Sequence, residues 1–216
     1  MRLFRRDRGA AEAGPARPTR LHIGCGAQSI PGWINIDNQG LPGVDQVLDV
    51  RQGLPFAGVT SIYAEHFLEH LGLGEALEFL KECRRVLSPD GALRLSTPNL
   101  DWVLTTHYRW QNMTPEENRD DCVRLNRAFH AWGHQFLYNR PTLESALRGA
   151  GFAEVAFRHY GESAREDLSG LERHEKSDDT PDLPHVLVVE AWGTASGTEG
   201  IPKDLLDEFL RDVGAR

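Results

Sequence analysis

Leu21-His22-Ile23-Gly24-Cys25-Gly26, with Trp33-Ile34-Asn35-Ile36-Asp37 close behind it, decides the fold class of this chain. A short apolar run ends in Gly-x-Gly, and a second apolar run ends in a carboxylate thirteen residues after Gly24. Glycines after a first strand let the backbone come close to a bound ligand. An acid after the second strand can accept hydrogen bonds from both hydroxyls of a ribose. Together they point to a nucleoside-containing cofactor.

Spacing narrows the choice. A dinucleotide site wants Gly-x-Gly-x-x-Gly, a full helix, and the acid about 20 residues on. Here Ser29 holds the third glycine position, and Pro31-Gly32 interrupt the segment where the helix should run. Eight residues separate Gly24 from Trp33, too few for a helix and two turns. A pyrophosphate seat at a helix N-terminus is therefore poorly supported, which disfavours a nicotinamide-dependent oxidoreductase. S-adenosylmethionine (SAM), a cofactor without a pyrophosphate, fits better.

Length and charge set further bounds. A chain of 216 residues is near one domain with a single substantial core. Net charge is −8, yet residues 1–20 carry six arginines against Asp7 and Glu12, leaving the remainder near −12. Such acidity argues against nucleic acid or an anionic membrane as partner, because phosphate binding is dominated by basic residues. Cys25, Cys83 and Cys122 are odd in number and far apart. They suggest neither a disulfide framework nor a Cys-x-x-Cys metal site, so a cytoplasmic location is expected. No apolar run approaches the roughly 18 residues needed to span a bilayer. The basic N-terminus lacks the apolar stretch of a secretory signal, so residues 1–19 are expected to be a disordered tail before one domain over 20–216.

From Leu21 on, apolar runs alternate with helical patterns, the mark of an α/β domain with a mostly parallel sheet. Strands are expected at about 20–24, 33–37, 45–49, 60–64, 91–96, 152–159 and 185–192. The clearest helix is 74–87, where Leu77, Leu80, Cys83, Val86 and Leu87 fall on one face. Ser88-Pro89-Asp90-Gly91 stops it and turns the chain into the next strand. Further helices are expected at 141–150, with Pro141 in its first turn and Gly151 at its exit, and from Pro202 to Val213. Residues 101–140 are rich in aromatics, His and Arg, and form an insertion that would serve as a lid at the carboxyl ends of the strands. A second long polar loop runs over 161–184 and holds Glu162-Ser163 and Leu171-Glu172.

Several segments together resemble class I SAM-dependent methyltransferases. Leu21 to Gly26 looks like their first glycine motif, and Asp37 stands where their ribose-binding acid stands. Ile62-Tyr63-Ala64-Glu65-His66-Phe67-Leu68-Glu69-His70-Leu71 is similar to the fourth strand and "LEHL" segment of the small-molecule branch. Glu82 to Leu93, with Ser88-Pro89-Asp90-Gly91 inside it, is similar to that branch's helix, "P-x-G" turn and fifth strand. Ala150-Gly151-Phe152 matches its "AGF" junction. The resemblance covers about 21–192. It implies a Rossmann-like, seven-stranded, mostly parallel sheet with helices on both faces. The shortened first helix resembles that of predicted bacterial methyltransferases, and arginine outweighs Lys81, Lys176 and Lys203 as in a GC-rich bacterial source.

By the same resemblance, Gly24, Cys25 and Gly26 would lie against the methionine and ribose parts of SAM, with Cys25 a small filler and not a nucleophile. Asp37 would take the ribose hydroxyls. Asp49 and Val50 fall where the family contacts adenine, and Asp49 read alone is equally a helix or turn cap. Glu65 and His66 follow the fourth strand, the position nearest the transferred methyl. His66 is the candidate general base, since histidine accepts protons near neutral pH. His134 resembles a histidine preceding the AGF helix in sugar and small-metabolite methyltransferases, and is the alternative base. His70 suits a hydrogen bond within the fold, and Glu69 a local cap or pair.

His130 and His134 have His-x-x-x-His spacing, but Ala131 stands where a zincin requires glutamate, so no metal is expected there. Trp102, Tyr108, Trp110, Trp132 and Tyr138 either form an acceptor pocket or pack the lid. The implied activity is methyl transfer from SAM to a small acceptor, a hydroxyl of a sugar or related metabolite. Two departures, the absent third glycine and Glu65 in place of a small residue, keep open a second reading: a catalytically silent SAM-fold scaffold.

Overall fold

The computed structural model describes residues 19–173, 182–195 and 200–213. The tail expected over 1–19 lies outside these residues except for Thr19, which opens the first strand, and so do 174–181 of the second polar loop. Seven strands form one sheet: β1 (Thr19–Ile23), β2 (Ile34–Asp37), β3 (Gln46–Val47), β4 (Val59–Glu65), β5 (Leu87–Pro98), β6 (Glu154–Arg158) and β7 (Val186–Trp192). Their order is β3-β2-β1-β4-β5-β7-β6. The first five are mutually parallel, and β7 runs antiparallel between β5 and β6. The order reverses between β1 and β4, and that is where an open α/β sheet leaves a crevice at its carboxyl edge.

Side chains alternate across each strand, so every strand contributes to both faces. On one face Leu21, Ile62, Leu93 and Val189 pack in the main core against helices α1 (Leu73–Val86) and α4 (Arg140–Gly149). Leu206 and Phe209 of α5 (Lys203–Val213) join the edge of that core. The expected stripe on α1 is present, with Phe79 and Ala76 buried in addition and Leu77 only partly so. Gly91 is fixed at the turn before the sheet interior of β5, because a Cβ there would stand 2.6 Å from the Val59 carbonyl.

The opposite face is covered differently from expectation. One helical turn, Glu166–Leu168, and the loops around it and around Ile30 and Trp33 pack on it, in place of full helices. Pro31-Gly32 and the short β1–β2 connection leave no room for a helix there. Parallel strands buried on both faces are usually apolar throughout. Here Arg94 is fully buried on β5, held by Glu172 Oε1 at 2.6 Å and Glu190 Oε1 at 2.7 Å. Arg94 also donates to the Glu162 carbonyl, and Ser61 bonds Asp167. Loop 161–173 is therefore clasped to the sheet by charge, which explains why it reads as polar in sequence.

The insertion holds two helices, α2 (Leu100–His107) and α3 (Pro115–His130). They pack on each other and are tied by Arg109, which bonds Asp121 and Glu117. Among the described residues, no helix is long and apolar enough to cross a membrane.

Candidate active site

A cavity of about 880 Å³ opens at the carboxyl ends of β1, β4 and β5. Its floor is the turn after β1, its side wall the segment after β4, and its far wall comes from α2, α3 and the turn at Ala131–Gly133. Six of the nine sequence-selected residues line it together: Gly24, Cys25, Gly26, Glu65, His66 and His134. Asp37, Asp49 and Val50 lie outside its wall.

The two glycines differ. Both have left-handed backbone, with φ of 63° at Gly24 and 54° at Gly26. At Gly24 the space beside the Cα is filled from within, since a Cβ would stand 2.4 Å from Phe67 Cδ2. At Gly26 nothing lies within 4 Å of that position. Gly26 is thus the place where a ligand can approach the backbone, while Gly24 admits a side chain of the fold. The Gly26 amide donates to Asp37 Oδ2 at 2.9 Å, and the Gln39 amide donates to the other oxygen. Asp37 therefore braces the turn from outside the cavity. Cys25 is buried and donates weakly to the Gly26 carbonyl; burial, with Asp37 nearby, raises its thiol pKa, so it stays protonated. Asp49 caps the helical turn Val50–Gln52 by accepting from the Arg51 amide, and it pairs with the Arg51 guanidinium.

After β4 the backbone of His66 enters the left-handed region at φ 46°, which is strained for a side chain with a Cβ. The ring is thereby presented to the cavity, with Nδ1 3.0 Å from Glu69 Oε1. A carboxylate only accepts, so the proton sits on Nδ1 and the accepting lone pair is on Nε2. Glu69 is fully buried, and its second oxygen accepts from Thr97 Oγ1 at 3.0 Å. Of the local cap or pair expected for Glu69, the structure shows the pair, and the His66-x-x-Glu69 interval was an unused signal for it. His134 lies across the cavity, its Nδ1 donating to the Ala128 carbonyl at 2.8 Å. Its ring packs edge-on against His70, with centroids 5.2 Å apart.

Arg124 and Arg127, one helical turn apart on α3, line the same space as His107, the last residue of α2. Burial, then these two arginines, lowers the pKa of His107 below its ordinary value. Arg127 also lies over the Trp132 ring, 4.6 Å from its centre. Neither arginine was selected from sequence; their spacing of three within a polar helix was the available signal. Of the aromatics named from sequence, Trp102 and Trp132 line the cavity, Tyr138 is buried in the core, and Tyr108 and Trp110 are exposed. Arg173 also lines the cavity, its amide donating to Glu65 and its guanidinium to the Ser29 carbonyl.

Neither a protein-family model nor a curated protein matches the sequence. Solved structures do. A SAM-dependent methyltransferase from Mesorhizobium loti aligns over 82% of this chain and 92% of its own, with 18% identity and a TM-score of 0.50. The chain has the fold of a class I SAM-dependent methyltransferase. The strand order β3-β2-β1-β4-β5-β7-β6, with β7 reversed, agrees with the sequence resemblance. A complex of DhpI with S-adenosylhomocysteine (SAH) aligns at 11% identity over 83% of this chain and 78% of that one, TM-score 0.49. LepI with SAM aligns at 12% identity over 85% of this chain, TM-score 0.46, and the chain spans 45% of the LepI chain. At these identities the likeness is one of fold.

Proposed function

We propose that this protein transfers a methyl group from SAM to a hydroxyl of a small acceptor, a sugar or related metabolite, in the cytoplasm. The observation that carries this reading is the cavity at the β1/β4 switch point. It places the open glycine Gly26 on one wall and the His66–Glu69 pair on another. The residues present fit the cofactor. Gly26 leaves room for close approach, Asp37 ends β2 with the carboxylate that a ribose requires, and Asp49, two residues after β3, would meet an adenine amine only on releasing Arg51.

When bound, SAM supplies a methyl group already activated on a sulfonium. The protein's own work is then to bind, align and exclude water. A hydroxyl acceptor must also lose its proton, and His66 receives it at Nε2 while Glu69 holds the ring and stabilises the imidazolium. Arg124, Arg127 and the surrounding imidazoles favour an acceptor that carries oxygen acceptors or negative charge.

Calorimetric titration with SAH, with NADH as control, tests the cofactor. Micromolar binding of SAH alone supports the reading and leads to an acceptor screen followed by mass spectrometry. Binding of NADH alone, or of neither, refutes it.

A further inference from the structure

Four carboxylates are buried on the described residues: Glu69, Asp121, Glu172 and Glu190. Burying a carboxylate is costly unless a cation compensates it. Asp121 has Arg109 and Arg124, while Glu172 and Glu190 share Arg94, and Glu190 adds Arg158. Among the described residues Glu69 has no guanidinium or ammonium group beside it; its ring partner is the imidazole of His66. Beside it stand two more imidazoles. One donor atom each from Glu69, His70 and His134 lie within 4.8 Å of one another, and all three residues line the cavity.

We propose that Glu69, His70 and His134 form a binding site for one divalent d-block cation of the Zn²⁺ kind. Two imidazoles and a carboxylate are a ligand set that suits such ions, and three protein ligands leave a coordination position open to the cavity. Tetrahedral bonds of 2.0–2.1 Å to nitrogen and oxygen would bring the donors to about 3.3 Å apart. Side-chain rotation covers the remaining ångström or so.

The ligands are also oriented as metal ligands usually are. The Nδ1–H of His134 is committed to the Ala128 carbonyl, which leaves Nε2 as its coordinating atom. Glu69 receives hydrogen bonds from Thr97 and His66 on its two oxygens, each of which keeps a second lone pair. The two chain segments are pinned to each other. The amides of Gln135 and Phe136 donate to the Glu69 carbonyl, and Gln135 Nε2 donates to the His70 carbonyl at 2.8 Å. His130, which the His-x-x-x-His spacing paired with His134, is outside the cluster. The charge of a divalent ion would compensate Glu69, among the described residues the one buried carboxylate that lacks an arginine. This inference shares Glu69 and His134 with the cavity of the methyl-transfer reading but does not rest on it, because the titration uses the cation alone, without cofactor or acceptor.

The test is calorimetric titration of the untagged full chain, stripped with EDTA and dialysed, with ZnCl₂ alone. One equivalent should bind. His70→Ala and His134→Ala should each weaken binding about 100-fold or more. Both residues are partly exposed, so their loss should leave the melting temperature of the stripped protein nearly unchanged. His130→Ala and Cys122→Ala should bind as the parent does. Absence of saturable binding overturns the proposal. So does binding that survives both His70→Ala and His134→Ala, or that His130→Ala or Cys122→Ala abolishes.

Discussion

Glu69 Oε1 lies 3.0 Å from His66 Nδ1, three residues along the chain, and the carboxylate is wholly buried behind the ring. The contact fixes the tautomer and the direction of His66, and the left-handed backbone at His66 places the ring at the cavity wall. If His66 is the base, His66→Ala should lower turnover on the acceptor by roughly 10²–10⁴-fold while SAH affinity holds. Glu69→Gln keeps the shape but removes the charge that stabilises imidazolium, and should cost less, about tenfold. Steady-state kinetics with calorimetry on the same samples separate the two effects. Loss of turnover in His134→Ala but not in His66→Ala would assign the base to the other side of the cavity.

Asp37 accepts from the amides of Gly26 and Gln39, so it can both brace the turn and receive ribose hydroxyls. Asp37→Ala should weaken SAH binding by roughly 1.5–3 kcal/mol, the worth of a hydrogen bond to a charged group. Asp37→Asn should recover part of it, since the amide oxygen can still accept. Equal affinity of Asp37→Ala and the parent removes Asp37 from the cofactor site.

The strands were legible because short apolar runs between Gly, Pro and Asp have few alternatives, and Pro31-Gly32 correctly removed the first helix. The helices of the insertion were not. On α3 the only buried residue is Asp121, so the segment has no apolar stripe from which to read a period. Its start was nonetheless written in the chain. Thr114 caps the helix, Pro115 opens it, and Glu117 accepts in return from the Thr114 amide. Arg94, between Leu93 and Leu95, reads as the solvent side of an alternating strand. Its burial depends on Glu172, 78 residues away, which no local pattern reports. The candidate site shows the same division. Residues at strand ends were found from motifs, whereas the arginines of α3 and the burial of Glu69 depend on tertiary placement.

The two glycines of the β1 turn should fail in different ways. Gly24→Ala meets Phe67 at 2.4 Å in addition to the cost of a left-handed alanine. Gly26→Ala meets only the backbone cost, about 1–2 kcal/mol. Thermal melts should therefore rank Gly24→Ala well below Gly26→Ala. Adding Phe67→Leu should restore part of the loss at position 24 and nothing at 26. Gly26→Ala in turn should weaken SAH binding beyond its effect on stability, because its Cβ would enter the space left for a ligand.

Arg94 sits between two buried carboxylates. Burial alone would lower its pKa, and Glu172 and Glu190 outweigh that effect and hold it charged. Arg94→Met removes the cation and leaves Glu172 without one. The expected loss is roughly 3–5 kcal/mol, read as a shift of the denaturation midpoint. Arg94→Met combined with Glu172→Gln and Glu190→Gln should lose less than the single variant, since no buried carboxylate is left without a cation and Arg158, which loses Glu190, is part-exposed to solvent. If the triple variant is the weaker, the network is stabilising in itself and not merely intolerant of being broken.

His22 is expected to contribute to the acid side of the stability profile. It is buried on β1, stacks on Tyr63 and has Nδ1 3.1 Å from Asn35 Oδ1. Burial lowers its pKa below the ordinary histidine value, against the raising effect of the Asn35 hydrogen bond. The unfolded chain therefore binds a proton more readily than the native one. Stability from this group is present above about pH 6.5 and is lost as pH falls toward the native pKa. His107 shifts the same way. The carboxylates of Asp121 and Asp167 are held below the usual range, so their contributions fade only below about pH 4. Urea midpoints should accordingly decline between about pH 7 and pH 5, and His22→Gln should flatten that decline. The variant remains a fair test because Asn35 Oδ1 still accepts from the Ile30 amide at 2.7 Å. An unchanged slope in His22→Gln assigns the decline to His107 or another group.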